Sequence, residues 1–84
     1  EAMVDGAKAL GLSDADATTL TVQTIVGAAK LLDESGKSAT TLRENVTSPN
    51  GTTAAALASF ESHQLGDVVA QAMKAARDRS QELA

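Results

Sequence analysis

The sequence predicts an all-α fold for this 84-residue chain. Apolar residues recur at three- and four-residue spacing along most of its length, which is the periodicity of an amphipathic helix. Alanine, the residue with the highest helix propensity, supplies much of the 43% hydrophobic content. No segment alternates polar and apolar residues as a half-buried strand does. We therefore expect five helices joined by short segments.

The first two predicted helices account for the N-terminal part of the chain. The first spans residues 1–10 and ends at Gly11, because glycine readily takes the left-handed conformation found after helices. The second begins after Ser13, whose hydroxyl can cap the first turn, and ends near Glu34 at the Ser35-Gly36 pair. Apolar residues cover more than one face of this second helix. We therefore expect it to be the central helix, buried on most sides.

Three further helices are predicted in the C-terminal part of the chain. A short helix over Ala39–Val46 begins at the capping residue Ser38, and a fourth covers Thr52–Ser62. A break at residues 63–66 separates the fourth helix from a fifth over Asp67–Leu83. The side chains that we expect to face inward on these helices are Leu42, Val46, Ala55, Leu57, Ala58, Phe60, Val69, Ala72, Met73, Ala76, Ser80 and Leu83.

Composition and charge exclude several functional classes. The net charge of −4 argues against nucleic acid as a partner, since phosphate binding needs a basic surface. The absence of cysteine excludes disulfides and thiolate metal sites, and His63 is the only histidine, so we expect no metal site. No apolar run approaches the roughly 20 residues needed to cross a bilayer, and no signal peptide is visible. We expect a cytoplasmic protein without a membrane partner.

The small alanine-rich core predicts association with a second copy. Alanine side chains bury little apolar area each, and Phe60 is the only aromatic residue. A chain of this length also buries a limited core by itself. We therefore expect one domain over residues 1–84 that packs closely against the helices of a second copy. A helical stripe already running at Glu1 indicates that the chain is a piece of a longer protein.

The segment Val46–Thr53 is the most distinctive stretch of the sequence. It contains the only proline, the turn dipeptide Asn50-Gly51 and four hydroxyl side chains, and a run with strong helix propensity follows it. One interpretation is structural, with Ser48 or Thr52 capping the helix. The other is functional: no acidic residue neutralises the helix start, so its free N–H groups could bind an external carboxylate or phosphate. The surplus of hydroxyls favours the functional interpretation.

Three segments of the chain together identify a family resemblance. They are Gln23–Lys30, Leu42–Thr53 and Arg79–Leu83, and the middle one contains Val46-Thr47-Ser48-Pro49-Asn50-Gly51-Thr52-Thr53. In order and spacing they resemble the C-terminal helical domain of pyrroline-5-carboxylate reductase. The middle segment resembles the family's V-T-S-P-G-G-T-T signature, which is the most specific of the three. The resemblance covers essentially all 84 residues.

The resemblance implies a fold, an activity and an assembly. The implied fold is a five-helix dimerisation domain of the 6-phosphogluconate dehydrogenase C-terminal-like type, interlocked with that of a second subunit. The implied activity is the last step of proline biosynthesis, in which NADPH or NADH reduces 1-pyrroline-5-carboxylate to L-proline. A separate N-terminal Rossmann domain binds the cofactor in this family, so we expect these 84 residues to bind none. We expect a homodimer, from which higher oligomers are built in some members, and no turnover by the chain alone.

The resemblance also implies the site residues. The family's substrate loop falls on Ser48, Pro49, Asn50, Gly51, Thr52 and Thr53. In the family, backbone N–H groups and hydroxyls of this loop hold the substrate carboxylate. Thr53 matches the threonine whose hydroxyl lies near the ring nitrogen, so it is the candidate catalytic residue that orients or protonates the imine. Asn50 departs from the usual glycine, and His63-Gln64 stands where the family often has Gly-Gly.

Two other functions remain open at this point. A non-catalytic helical interaction module would keep the helices and use an apolar groove to bind a peptide. The helical domain of a related 2-hydroxyacid or 6-phosphogluconate-type dehydrogenase would share the architecture but lack the Val46–Thr53 loop. That polar loop favours the reductase over both, because it offers hydroxyl and N–H groups suited to a small anion.

Overall fold

The computed structural model describes residues 1–84 and contains five α-helices and no strand, which confirms the predicted all-α fold. The helices are α1 (Ala2–Ala9), α2 (Asp14–Ser35), α3 (Ala39–Asn45), α4 (Thr52–Ser62) and α5 (Leu65–Leu83). The chain forms two compact units, residues 1–42 and residues 43–84. None of the five helices combines the length and apolar content needed to cross a bilayer.

The first unit is built on the packing of α1 against α2. Ala17, in the first turns of α2, is fully buried, and Val4 and Ala7 of α1 are half-buried. Between the two helices, Gly11 takes the left-handed conformation with φ +108°, as the sequence predicted. Lys8 at the end of α1 forms an ion pair of 3.2 Å with Asp14 at the start of α2.

Side-chain caps define the helix starts in this unit. The Ser13 hydroxyl accepts a hydrogen bond of 3.1 Å from the Asp16 N–H, and Ser13 itself has extended backbone angles, as an N-cap residue does. Ser38 caps α3 in the same way, because its hydroxyl accepts the Thr41 N–H at 3.1 Å. Gly36 ends α2 with φ +71°. All three signals were predicted from the sequence.

The second unit contains a two-residue corner between α4 and α5. The predicted break at residues 63–66 was too long, since α5 begins at Leu65 and not at Asp67. Gln64 adopts left-handed angles (φ 59°, ψ 46°) and its carbonyl accepts the Val68 N–H at 3.0 Å, so the chain turns within two residues. His63 ends α4, and its Nδ1–H donates to the Ser59 carbonyl at 2.8 Å.

Few of the side chains predicted to face inward are buried within the chain. Ala17 is the only buried hydrophobic residue, while Leu42 and Leu57 are half-buried. The prediction that α2 is buried on most sides is wrong for the single chain, where Leu20 and Ile25 are 54% and 55% exposed. A single short helix can cover only one side of α2. The poor single-chain core expected from the composition is therefore confirmed.

The other predicted inward positions are also exposed within the chain. They are Val46, Ala55, Ala58, Phe60, Val69, Ala72, Met73, Ala76, Ser80 and Leu83. Their helical spacing is that of a buried face, but the 42-residue second unit contains too few elements to cover α4 and α5. The spacing therefore identified apolar helix faces that are not covered within the single chain.

Replacing the Ser13 cap should destabilise the protein measurably. Ser13→Ala removes the acceptor of the Asp16 N–H, and we expect the free energy of unfolding to fall by about 1 kcal/mol. Urea denaturation at one fixed protein concentration measures this change. The control is Thr19→Ala, an exposed position inside α2, which should not lower stability and should raise it by no more than about 0.7 kcal/mol, since alanine has the higher helix propensity. Equal effects of the two substitutions would contradict the capping role.

Candidate functional site

The predicted substrate loop is a tight turn directly before α4. The Gly51 N–H donates to the Ser48 carbonyl at 3.0 Å, which closes a four-residue β-turn. Pro49 occupies the second position, and Asn50 occupies the third with φ +60°. Proline followed by a residue with positive φ is the pattern of a type II turn. Asparagine tolerates this conformation, so the predicted turn forms without the glycine that the family usually has.

The close approach of the two ends of the turn favours glycine at position 51. A Cβ atom on Gly51 would lie 3.1 Å from the Ser48 carbonyl oxygen and 3.4 Å from the Ser48 Cβ. The φ of Gly51 is −84°, so its backbone angles do not require glycine. The turn therefore favours glycine for space, because a side chain would crowd the Ser48 carbonyl unless the turn opened by a few tenths of an ångström.

The start of α4 has no side-chain cap and no acidic residue in its first turn. Its N-cap is Gly51, so the interpretation that Ser48 or Thr52 merely caps this helix is wrong. The first helical hydrogen bond of α4 is from the Ala55 N–H to the Gly51 carbonyl, at 3.1 Å. The N–H groups of Thr52, Thr53 and Ala54 precede it and have no acceptor in the helix. These donors and the helix dipole are available to an anion.

The hydroxyl groups of the loop divide into one that is used within the chain and three that are not. Thr47 donates its hydroxyl to the Arg43 carbonyl at the end of α3. The hydroxyls of Ser48, Thr52 and Thr53 have no such partner. Thr53 is half-buried, whereas Ser48 and Thr52 are exposed. The structure thus gathers unpaired hydroxyls and unpaired N–H groups at one helix end.

The loop and most of α4 carry no charged side chain. No residue from Thr47 to Ser59 is charged, so no carboxylate within this segment competes with an incoming anion. No group of three or more His, Cys, Asp or Glu residues could hold a metal ion. An arrangement of this kind can bind and orient a small carboxylate through hydrogen bonds.

A second concave surface in the same unit was not singled out from the sequence. It is an open cavity of about 610 Å³ lined by Arg43, Leu57, Phe60, Glu61, Gln64, Leu65, Gly66 and Asp67. None of these residues belongs to the substrate loop. The spacing of Leu57, Phe60, Glu61 and Gln64 places them on one face of α4 and its end, which is a signal that could have identified the surface.

The five helices do not form the strand–turn–helix unit of a Rossmann motif. The Rossmann motif places a glycine-rich turn between a strand and a helix, and the pyrophosphate binds at that turn. The structure has five helices and no strand, so these 84 residues do not fit a nicotinamide cofactor of that type.

Comparison with known proteins identifies one family that the chain matches over nearly its whole length. Residues 1–83 match the family model described as pyrroline-5-carboxylate reductase dimerisation. The chain is 48% identical over 84 residues to the pyrroline-5-carboxylate reductase of Pseudomonas aeruginosa, covering 100% of this chain and 31% of that protein. It is 44% identical over 73 residues to pyrroline-5-carboxylate reductase 1 of Bacillus subtilis, covering 87% of this chain and 25% of that protein.

A solved structure has the same fold. The crystal structure of Plasmodium falciparum pyrroline carboxylate reductase with NADP bound superposes with a TM-score of 0.91 at 32% identity. The match covers 94% of this chain and 32% of that one. The chain therefore spans no more than about a third of the length of these relatives.

Adding a methyl group at Gly51 should disrupt the turn. Because the new Cβ would lie 3.1 Å from the Ser48 carbonyl oxygen, we expect Gly51→Ala to lower the free energy of unfolding by about 1–3 kcal/mol. The matched control is Gly6→Ala in α1, where no heavy atom lies within 4 Å of the new Cβ. That substitution should stabilise the protein by about 0.5–1 kcal/mol. Urea denaturation of both variants distinguishes the outcomes, and a stabilising Gly51→Ala would contradict the crowding.

Proposed function

Because this chain belongs to the pyrroline-5-carboxylate reductase family, we propose that it is the dimerisation and substrate-binding domain of such an enzyme. The whole enzyme would reduce 1-pyrroline-5-carboxylate to L-proline with NADPH or NADH. The observation that carries this proposal is the start of α4, which combines free N–H groups, free hydroxyls and no acidic residue. These groups match the needs of a ligand with a single carboxylate.

The proposed role of the loop is to hold the substrate carboxylate. The residues assigned to it are Ser48, Asn50, Gly51, Thr52 and Thr53, all within the turn and the first residues of α4. The N–H groups at the helix start would donate to the two carboxylate oxygens, and the Ser48 and Thr52 hydroxyls can donate as well. Hydrogen bonds to an ionised acceptor are stronger than those between neutral groups. The exposed Asn50 amide adds a donor that glycine would lack.

Thr53 is the proposed catalytic residue. Its hydroxyl has no partner within the chain, and Thr53 is half-buried, so its position is more restricted than that of Ser48 or Thr52. Reduction of the imine adds a hydride to the ring carbon and a proton to the ring nitrogen. A hydroxyl group is a weak acid. Thr53 would therefore orient the nitrogen and pass on a proton from water, without supplying one of its own.

The hydride would come from a nicotinamide cofactor held outside these 84 residues. A separate Rossmann domain is the proposed holder, since the chain has no strand to carry the dinucleotide motif. The same proposal treats residues 1–84 as one domain. It also places the enzyme in the cytoplasm and expects higher oligomers to be built from dimers. On this basis the chain alone binds no cofactor and does not turn over substrate.

The proposed partner of the chain is a second copy of itself. The family model that matches residues 1–83 describes a dimerisation domain. The single chain leaves large apolar side chains about half exposed along α2, and the second unit has no buried residue. Exposed apolar area of this extent marks an interaction surface. A homodimer would cover it.

The cavity between α4 and α5 supports a different candidate function. Leu57, Phe60 and Leu65 give it apolar lining, and a peptide-binding helical module would use such a surface. The family match favours the reductase over this module and over a related dehydrogenase domain. A peptide-binding role depends on the cavity and not on Thr53, so substitutions at the two places distinguish the functions.

Loss of the Thr53 hydroxyl should lower the rate of the reductase. The assay uses a chimera in which these 84 residues replace the matching residues of the Pseudomonas aeruginosa relative. In that chimera we expect Thr53→Ala to reduce kcat by about 100-fold or more, the usual scale of acid–base assistance. Ser48→Ala should mainly raise KM for 1-pyrroline-5-carboxylate, because it contributes to binding of the carboxylate. Oxidation of NADPH followed at substrate saturation measures both values.

Ser62→Ala is the matched control for these two substitutions. It removes a hydroxyl from the other end of α4, about 15 Å from the helix start. We expect kcat and KM of this variant to equal those of the parent chimera. Unchanged kinetics in Thr53→Ala and Ser48→Ala would remove the site assignment, whereas a chimera that folds without reducing the substrate would contradict the proposed activity.

The purified chain should be a dimer in solution. Light scattering at micromolar concentration should give twice the 8.5 kDa mass of one chain. The reason is that the exposed apolar side chains of α2 and α5 would otherwise face water. A stable, folded monomer at that concentration would contradict the dimerisation role.

A further inference from the structure

The Asn50-Gly51 pair at the tip of the substrate loop is chemically labile. In an Asn-Gly pair the glycine nitrogen can attack the carbonyl carbon of the asparagine side chain, because glycine has no side chain to obstruct the approach. Asn50 is exposed, and no side-chain hydrogen bond in the structure involves residues 48–58. The Asn50 amide is therefore free to turn toward the Gly51 nitrogen.

The packing of the turn favours this labile pair. A side chain at position 51 would obstruct the attack, but its Cβ atom would also lie 3.1 Å from the Ser48 carbonyl oxygen. Position 50 has φ +60°, a conformation that asparagine tolerates better than most residues with a side chain. The two features that let the turn close therefore also create the Asn-Gly pair.

A second asparagine provides an internal comparison. Asn45 at the end of α3 is exposed, as Asn50 is. The N–H group that follows each asparagine donates to the carbonyl three residues before it, at 3.3 Å for Val46 and 3.0 Å for Gly51. The two sites thus differ mainly in the next side chain, which is β-branched and stiff in Val46 and absent in Gly51. Only Asn50 combines exposure with an unobstructed attacking nitrogen.

We propose that Asn50 deamidates in the folded protein and that the product binds the substrate carboxylate more weakly. Once its proton has passed to water, the Gly51 nitrogen bonds to the Asn50 Cγ. The bond from Cγ to the side-chain nitrogen breaks, and that nitrogen takes a proton back from water and leaves as ammonia. Water then opens the five-membered imide at either carbonyl carbon, giving an aspartyl or an isoaspartyl linkage. One water is consumed and one ammonia released, without oxidation or reduction.

The turn slows this reaction without preventing it. The Gly51 N–H donates to the Ser48 carbonyl, so this hydrogen bond must open before the nitrogen can lose its proton. The net stabilisation by one such bond corresponds to a reaction about five-fold slower than in an unfolded peptide. Local opening of an exposed turn needs far less free energy than unfolding of the whole protein. The folded chain therefore still reaches the reactive arrangement.

The consequence for binding rests on the proposed function. Both products carry a new carboxylate at position 50, directly before α4, whose first turn has no side-chain cap. Negative charge is attracted to the free N–H groups and dipole of a helix start, so this carboxylate would compete for the donors that the substrate needs. It would also repel the substrate carboxylate, and no basic residue between Thr47 and Ser59 offsets it. Deamidation would thus be a slow, one-way loss of substrate binding.

Peptide mass spectrometry tests the modification independently of activity. The full-length protein is incubated at neutral pH and physiological temperature, and samples are digested with trypsin. Cleavage after Arg43 and Lys74 releases residues 44–74, a peptide that contains both asparagines. Fragmentation of this peptide between Ser48 and Pro49 assigns the mass increase of deamidation to one asparagine or the other.

We expect deamidation at Asn50 to be about ten-fold or more faster than at Asn45, because Val46 obstructs the second reaction. A synthetic peptide of residues 46–54 serves as the unfolded reference and should react about five-fold faster than Asn50 of the protein. Equal rates at the two asparagines of the protein, or a peptide that does not react, would overturn the proposal.

The effect on binding is measured in the chimera with the Pseudomonas aeruginosa relative. Asn50→Asp imitates one product and should raise KM for 1-pyrroline-5-carboxylate by about ten-fold, through repulsion between the two carboxylates. During incubation, the rate of the parent at low substrate concentration should fall in step with the deamidated fraction. Asn50→Gly is the matched control, because it tolerates the same φ and cannot deamidate, so its rate should stay at its own starting value.

The outcomes separate this inference from the proposed function. A parent chimera that deamidates at Asn50 and keeps its rate at low substrate concentration would overturn the effect on binding. An equal loss of rate in Asn50→Gly would do the same, because the loss would then have another cause. A freshly prepared, folded chimera that does not reduce the substrate would instead contradict the proposed function, whatever the mass spectra show.

Discussion

The rest of the structure depends on one constraint: each unit has more apolar helix surface than its own helices can cover. In the first unit, α1 covers only one side of α2, and Ala17 is the only fully buried hydrophobic residue. In the second unit, no residue is buried at all. A folded chain with so little interior gains little from the hydrophobic effect by itself. The apolar side chains that the helices leave exposed are suited to packing against a partner. This exposure agrees with the match to a dimerisation model.

The conformation of the proposed substrate loop is fixed by local interactions, which do not depend on a large core. Proline fixes one backbone angle of the turn, and the Gly51 N–H bonded to the Ser48 carbonyl closes it. Because Gly51 has no side chain, the turn can close tightly and α4 can begin immediately after it. Helix donors that a serine or aspartate cap would have used are left free. Under the proposed function, this turn would leave donors free for a substrate carboxylate, and a second copy would cover the exposed apolar faces.

Local signals predicted most of the helix boundaries correctly. Ser13 and Ser38 cap their helices, and Gly11 and Gly36 end theirs with positive φ, because each of these effects involves residues within one turn of each other. The start of α5 was misplaced because Gly66 resembles a break but lies inside the helix. The turn is made instead by Gln64, a residue type with no strong preference for the left-handed conformation. At the Val46–Thr53 loop, the sequence left helix capping and anion binding as alternatives. The structure excludes a side-chain cap by Ser48 or Thr52, because the N-cap residue of α4 is Gly51.

The sequence by itself determined the helical class, the caps, the turn at Ser48–Gly51 and the family resemblance. These follow from local backbone preferences and from a specific run of residues. Only the tertiary structure decided which predicted apolar faces are covered within the chain and which are left open. Periodicity shows that a helix has an apolar side but not what lies against that side. The structure also decided that Thr47 bonds to its own helix while Ser48, Thr52 and Thr53 remain free, since that depends on where each hydroxyl lies in space.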